Sequence, residues 1–175
     1  MHTAINIRSV SEICEGNRID LPERPGVYAF WWIADKSELM ASQRYIVLKG
    51  PGEIPVSVEY RDWWPEELAY PCLYIGKSTN IKKRFSLNIK RGSPHRLHEI
   101  PVTHEKQKPV TTSCQLRYGI EHIFRDAQNP LAIIENKVGF SYSDEFGTDQ
   151  IAERFFKEDE LIGTWKPWFN VDSER

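Results

Sequence analysis

The 175-residue sequence has little cysteine, no C-x-x-C pair and no apolar run long enough to cross a bilayer. Cys14, Cys72 and Cys114 are odd in number and far apart, which argues against both a disulfide framework and a zinc finger. A spanning helix needs roughly 18 consecutive apolar residues, and no stretch approaches that. Met1 to Asp20 lacks the apolar core of a secretory leader, and the chain has neither an internal repeat nor a low-complexity tract. The expectation is a soluble protein of a reducing compartment, the cytoplasm. What is present is bulk. Apolar residues make up 40% and aromatics 12%, with 6 Trp, 7 Tyr and 8 Phe, enough to build a core and to set aside disordered and fibrous classes.

A net charge of −2 gives no argument for a polyanionic partner. The distribution says more. Between Gly76 and His98 stand Lys77, Lys82, Lys83, Arg84, Lys90, Arg91 and Arg96, with no acid among them. Between Asp144 and Glu160 stand Asp144, Glu145, Asp149, Glu153, Glu158, Asp159 and Glu160, against Arg154 and Lys157. A basic block of the first kind is either a polyanion footprint or a solvated helix face.

The chain reads as one α+β domain over 24–175, preceded by a lead-in over 1–23. Val27 to Ile33 is a β-prone run behind Pro25-Gly26. Arg44–Leu48 and Ile54–Tyr60 flank Gly50-Pro51-Gly52 as a hairpin, with Pro55 marking a late start or an edge. Leu73 to Gly76 is a short strand. A helix follows, capped by Ser78, Thr79 or Asn80. Its apolar stripe is Ile81, Phe85 and Ile89, with Arg84, Asn88 and Arg91 on another face and Gly92-Ser93-Pro94 as its stop. Residues 92–111 read as loop. Ser113 to Asp126 reads as a second helix despite Gly119, Val138 to Tyr142 as a strand, and 148–162 as a third helix closed by Gly163. Trp63-Trp64 stands out among the tryptophans, because adjacent strand residues cannot bury both rings on one face.

The last helix carries a carboxylate in an apolar stripe. At about 100° per residue, Phe155, Ile162 and Glu158 all fall within roughly 40° of Ile151 on the wheel. A lone buried carboxylate is costly unless it is paired or binds a cation, so Glu158 reads either as half of an internal ion pair or as a metal ligand.

Gly26-Val27-Tyr28 and Tyr74-Ile75-Gly76 resemble the two motifs that name the GIY-YIG nuclease superfamily. The second runs on into Lys77 and a helix whose Arg84 matches the family's arginine. Glu158 stands three residues before Leu161-Ile162, as the family's metal-binding glutamate does, and Pro167 and Asn170 match its closing residues. The similarity covers roughly residues 24–171. It implies a small mixed or antiparallel sheet flanked by helices, with an inserted hairpin and an inserted helix over about 36–70 and 92–136. The position one turn after the arginine is often tyrosine, histidine or lysine in the family. Here it is Asn88, which cannot carry a proton; His95 and His98 lie in the loop beyond. His95, His98 and His104 have no partners at zinc spacing.

By resemblance, the function is metal-dependent DNA endonuclease activity. Tyr74 is the candidate base with Tyr28 beside it, their pKa lowered by neighbouring cations. Arg84 grips a phosphate oxygen, Lys77 and Asn170 complete the catalytic set, and Glu158 holds one Mg²⁺ or Mn²⁺ ion. Lys82, Lys83, Lys90, Arg91 and Arg96 are the candidate DNA-binding residues. A stand-alone enzyme of restriction or mobile-element type is implied, and cutting both strands calls for a homodimer or for sequential nicking. The rival is a non-catalytic nucleic-acid-binding module on the same scaffold.

Overall fold

A computed structural model describes residues 6–15, 20–99 and 114–173. The chain is α+β. Its main sheet is four-stranded and antiparallel, in the order β1-β6-β2-β5. These strands are β1 (Arg8–Ser9), β2 (Gly26–Trp32), β5 (Cys72–Ser78) and β6 (Val138–Ser143). A second, two-stranded sheet pairs β3 (Tyr45–Lys49) with β4 (Pro55–Glu59). The helices are α1 (Val10–Cys14), α2 (Lys36–Met40), α3 (Ile81–Ile89), α4 (Gln115–Ile123), α5 (Pro130–Lys137) and α6 (Ile151–Trp165). No helix among the described residues is long and apolar enough to cross a membrane.

Strand β2 is buried at every position, so its run of large apolar residues serves both faces of the sheet. Side chains alternate along a strand, and the register puts Tyr28, Phe30, Tyr74 and Phe140 on one face. Helix α3 covers that face. The Phe85 ring lies 4.9 Å from Phe140 and 6.2 Å from Phe30. Val27, Ala29, Trp31, Ile75 and Lys77 point the other way, where α6 packs with Trp165 4.8 Å from Trp31.

Several boundaries differ from the sequence expectation for physical reasons. Residues 8–14, expected as lead-in, supply the edge strand β1 and the helix α1, opened by a capping box between Ser9 and Glu12. Helices α2 and α5 were not anticipated. Gly92 does not stop α3; Lys90 does, in the left-handed conformation. Gly163 does not close α6, which runs on to Trp165 before Lys166 turns left-handed and Pro167 follows.

The apolar stripe expected on α6 is also displaced. Ile151 is 67% exposed and Phe155 47%, and the residue of α6 that is buried is Arg154. Its guanidinium donates to the Gly147 carbonyl at 2.6 Å, tying down the loop before the helix. The inward stripe is Arg154, Glu158, Leu161, Ile162 and Trp165, so Glu158 keeps its inward position while Ile151 and Phe155 leave theirs. Gly119, a poor helix former, has a packing reason: a Cβ there would lie 2.5 Å from the Phe169 ring.

The second sheet is held by aromatics. Tyr60 stacks on Trp168 at 5.2 Å, and Trp64 stacks on its other side at 4.7 Å. Trp64 is buried and donates to the Cys72 carbonyl, while its neighbour Trp63 is only partly covered.

Beyond α3, residues 93–98 are fastened to α4 by buried charge. Arg117 donates to the carbonyls of Ile89, Ser93 and His95 and to Glu121. Glu121 accepts from the Leu97 and His98 amides and pairs with His98 Nδ1 at 2.9 Å. Burial pushes the Glu121 carboxyl up, but hydrogen bonds from His98 and Arg117 outweigh it and hold its pKa at about 2. Hydrogen bonds to Cys114 and then Glu121 lift His98 to about 9. The signs follow from linkage. The Glu121 contribution is present above its ordinary value of 4.5 and is lost as pH falls toward about 2. The His98 contribution is complete below 6.5 and is lost as pH rises through about 9. The melting temperature should therefore fall between pH 6.5 and 9, and His98→Gln should flatten that limb. The same slope in the variant would show that His98 is not the group titrating.

Candidate active site

The expected site residues are brought together around β5, the outer strand of the main sheet. Tyr28 reaches it from β2. Its register partner is Gly76, where a Cβ would stand 2.4 Å from the Tyr28 hydroxyl. Glycine is required there because the phenol lies across the strand. The Tyr28 and Tyr74 rings sit with centroids 6.2 Å apart, and each phenol acts on the ionisation of the other.

Arg84 stands on α3, over the same face. Among the described residues its guanidinium makes no ion pair or hydrogen bond, and its charge acts on both phenols. Asn88, one turn on, is 1% exposed. Its amide donates to the Tyr28 hydroxyl at 3.3 Å and to the Arg84 carbonyl, and its oxygen accepts from the Leu116 amide. It fixes Tyr28 and joins α3 to α4. His98 does not stand in for it, since its Nδ1 is committed to Glu121 and its ring packs on Tyr118. His104 lies outside the described residues.

From the other face, α6 delivers Glu158 to an ion pair with Lys77. The carboxylate side chain is 13% exposed. The Lys77 ammonium also lies over the Phe155 ring, 4.7 Å from its centroid. Asn170 closes the edge. Its side-chain oxygen accepts from the Ile75 amide and its NH₂ donates to the Ile75 carbonyl, both at 2.8 Å. Both functions of that amide are spent on backbone, so Asn170 is a positioning residue.

Tyr74 is where the two faces act on one group. Burial raises its pKa first and the Glu158 charge raises it further, against smaller lowering effects from the Tyr28 phenol and Arg84. Tyr28 is raised well above its ordinary value, chiefly by burial. Neighbouring cations were expected to lower both phenols; desolvation outweighs them, and both are protonated at neutral pH.

The basic block divides. Lys83 and Lys90 make no side-chain ion pair or hydrogen bond among the described residues. Lys82 pairs with Glu23 at 2.8 Å on the surface. Arg91 holds the Cys14 carbonyl and faces Glu135, which ties α3 to α1 and α5. Arg96 donates to the carbonyls of Glu121, Phe124 and Ala127 at the end of α4. The guanidinium groups of Arg91 and Arg96, expected to contact DNA, are engaged by carbonyls and a carboxylate distant in sequence.

Among the described residues, no three His, Cys, Asp or Glu side chains cluster as a metal cage. Glu158 offers a single hard oxygen donor. That fits Mg²⁺ or Mn²⁺ only as an ion that keeps its waters and draws further oxygens from a substrate, and Lys77 must yield the carboxylate to it. No family model, curated protein or solved structure matches this chain.

In EDTA, Glu158→Gln removes the charge that holds Tyr74 up, so the Tyr74 phenol should titrate at lower pH than in the parent protein. Phenolate absorbance measured against a Tyr74→Phe reference isolates that one group. An unchanged titration would place Glu158 out of reach of Tyr74.

Proposed function

We propose that this protein is a metal-dependent DNA endonuclease of GIY-YIG type, with β3, β4 and the segment through α4 as insertions on the minimal scaffold. One observation carries the reading. A phenol pair, Tyr74 on the outer strand and Tyr28 reaching across from β2, stands between an arginine with no side-chain partner among the described residues and a carboxylate supplied from the opposite face.

Phosphodiester hydrolysis asks for three things: a deprotonated water, a neutralised phosphate and a stabilised leaving oxygen. Arg84 supplies a planar fork for a phosphate oxygen, and its side chain is not engaged elsewhere among the described residues. Lys77 has two positions of use, on Glu158 in the resting protein and on the phosphate when the carboxylate is taken. A divalent ion held by Glu158 would polarise the phosphate and lower the pKa of bound water. Neutralising Glu158 would remove the charge that raises Tyr74, so a larger share of the phenol would be ionised and able to take a proton. Tyr28 lies beside Tyr74 and is kept in place by Asn88. Phosphate contacts elsewhere on a duplex fall to Lys82, Lys83 and Lys90.

A second reading has its own support. With Glu158 closed by Lys77 and Tyr74 held protonated, the same cations would bind nucleic acid without cutting it. A plasmid-nicking assay separates the two. Mg²⁺ should support nicking and EDTA abolish it. Arg84→Ala and Glu158→Gln should each lose roughly 10²–10³-fold in rate, the usual cost of removing one transition-state charge contact, while both still bind DNA at low salt. Binding with no nicking by the parent protein in Mg²⁺ or Mn²⁺ would establish the second reading, and normal nicking by Glu158→Gln would overturn the site.

A further inference from the structure

A groove of about 320 Å³ opens beside the site, lined by Trp63, Ile162, Lys166, Pro167, Asn170 and Val171. It is not needed by the chemistry above. One wall is the indole of Trp63, whose Nε1 donates to the Lys166 carbonyl at 2.9 Å, so the ring is fixed in place. Ile162, Pro167 and Val171 make the rest of the lining apolar. The polar side chains are Asn170, already spent on Ile75, and Lys166. Lys166 is exposed, and its ammonium has no ion pair or hydrogen bond among the described residues.

An indole, apolar side chains and one cation in a single lining suit an aromatic heterocycle attached to an anion. We infer that this groove receives one unstacked nucleobase of the strand whose phosphate lies at Tyr74 and Arg84, making nucleic acid with an unpaired nucleotide the preferred substrate. The inference rests on the nuclease reading and adds the substrate class to it.

Placement and size support that occupant. Ile162 follows Glu158 by four residues, about 6 Å along the helix at 1.5 Å per residue. Asn170 is bonded to Ile75, the neighbour of Tyr74. A base in the stack has both faces covered by its neighbours and offers none to the Trp63 ring. A base turned out of the helix offers one. The volume lies at the lower end of the roughly 300–1,000 Å³ usual for ligand sites, with room for one base. Stacking on an aromatic ring tolerates any base, so the groove selects for an unpaired nucleotide rather than for sequence.

Fluorescence anisotropy in EDTA tests this without cleavage. The probes are a fully paired DNA duplex, the same duplex with one bulged thymidine, and the same bulge made abasic. The bulged thymidine should bind about tenfold tighter than the paired duplex, the scale of one base–aromatic stack, and the abasic bulge should not. Trp63→Ala should abolish that preference and leave affinity for the paired duplex unchanged, and Trp63→Phe should restore most of it. Ile162→Trp, which fills the groove from α6, should abolish it as well. Equal affinity for the three probes, or a preference that survives in both Trp63→Ala and Ile162→Trp, overturns the groove while leaving the nuclease reading to the nicking assay. Failure to bind any of the three overturns both.

Discussion

The arrangement depends on β5 being an outer strand. A strand in the middle of a sheet presents two faces, each reachable by one layer of helices, and its backbone is consumed on both sides. An outer strand presents two faces and an edge at one place. Here Tyr74 lies on the face under α3, Lys77 on the face under α6, and the Ile75 backbone at the edge, where Asn170 takes both its donor and its acceptor. That clamp does two jobs. It satisfies backbone groups that would otherwise invite another strand, and it sets the end of α6 and the turn after it against the strand that bears Tyr74. Gly76 completes the geometry by giving the Tyr28 ring room across β5.

The energetics explain why the site is closed at rest. Two buried phenols are cheap only when neutral, and a carboxylate 13% exposed is tolerable only with a cation beside it. Lys77 supplies that cation from the strand itself. Among the described residues, each charged group of the site thus has a partner already in place, apart from Arg84, and a polyanion entering between Arg84 and Lys77 would change the balance for Tyr74. Asn88 belongs to the same economy. It carries no proton, but it gives the buried Tyr28 hydroxyl a partner and binds two helices with one side chain.

The parts visible in the sequence were those set by local pattern. β2, β5, β6 and the β3–β4 hairpin stand where β-branched and aromatic runs meet turn residues, and Asn80 caps α3 as its chemistry predicts. Two features were legible and passed over. Asn129-Pro130 is a helix-start signal that opens α5, and Asn88 falls in the α3 stripe of Ile81 and Phe85, which marks it as a buried polar residue. Others could not be read. Two residues of β1 are too few to show a period. The rotation of α6 was decided by Arg154 reaching the Gly147 carbonyl and by Trp165 meeting Trp31, contacts that a helical wheel does not contain. The engagement of Arg91 and Arg96 was set by carbonyls distant in the chain, so a run of cations alone could not separate those engaged within the fold from those left to solvent.

The most direct test is a crystal structure of the protein with a DNA oligonucleotide and Ca²⁺, a hard oxygen-seeking ion, in place of Mg²⁺. The account predicts a phosphate between Arg84 and the Tyr74 hydroxyl, the ion on Glu158, and Lys77 moved from the carboxylate toward the phosphate. DNA seated on another surface, with the Lys77–Glu158 pair intact and Arg84 still without a partner, would contradict it.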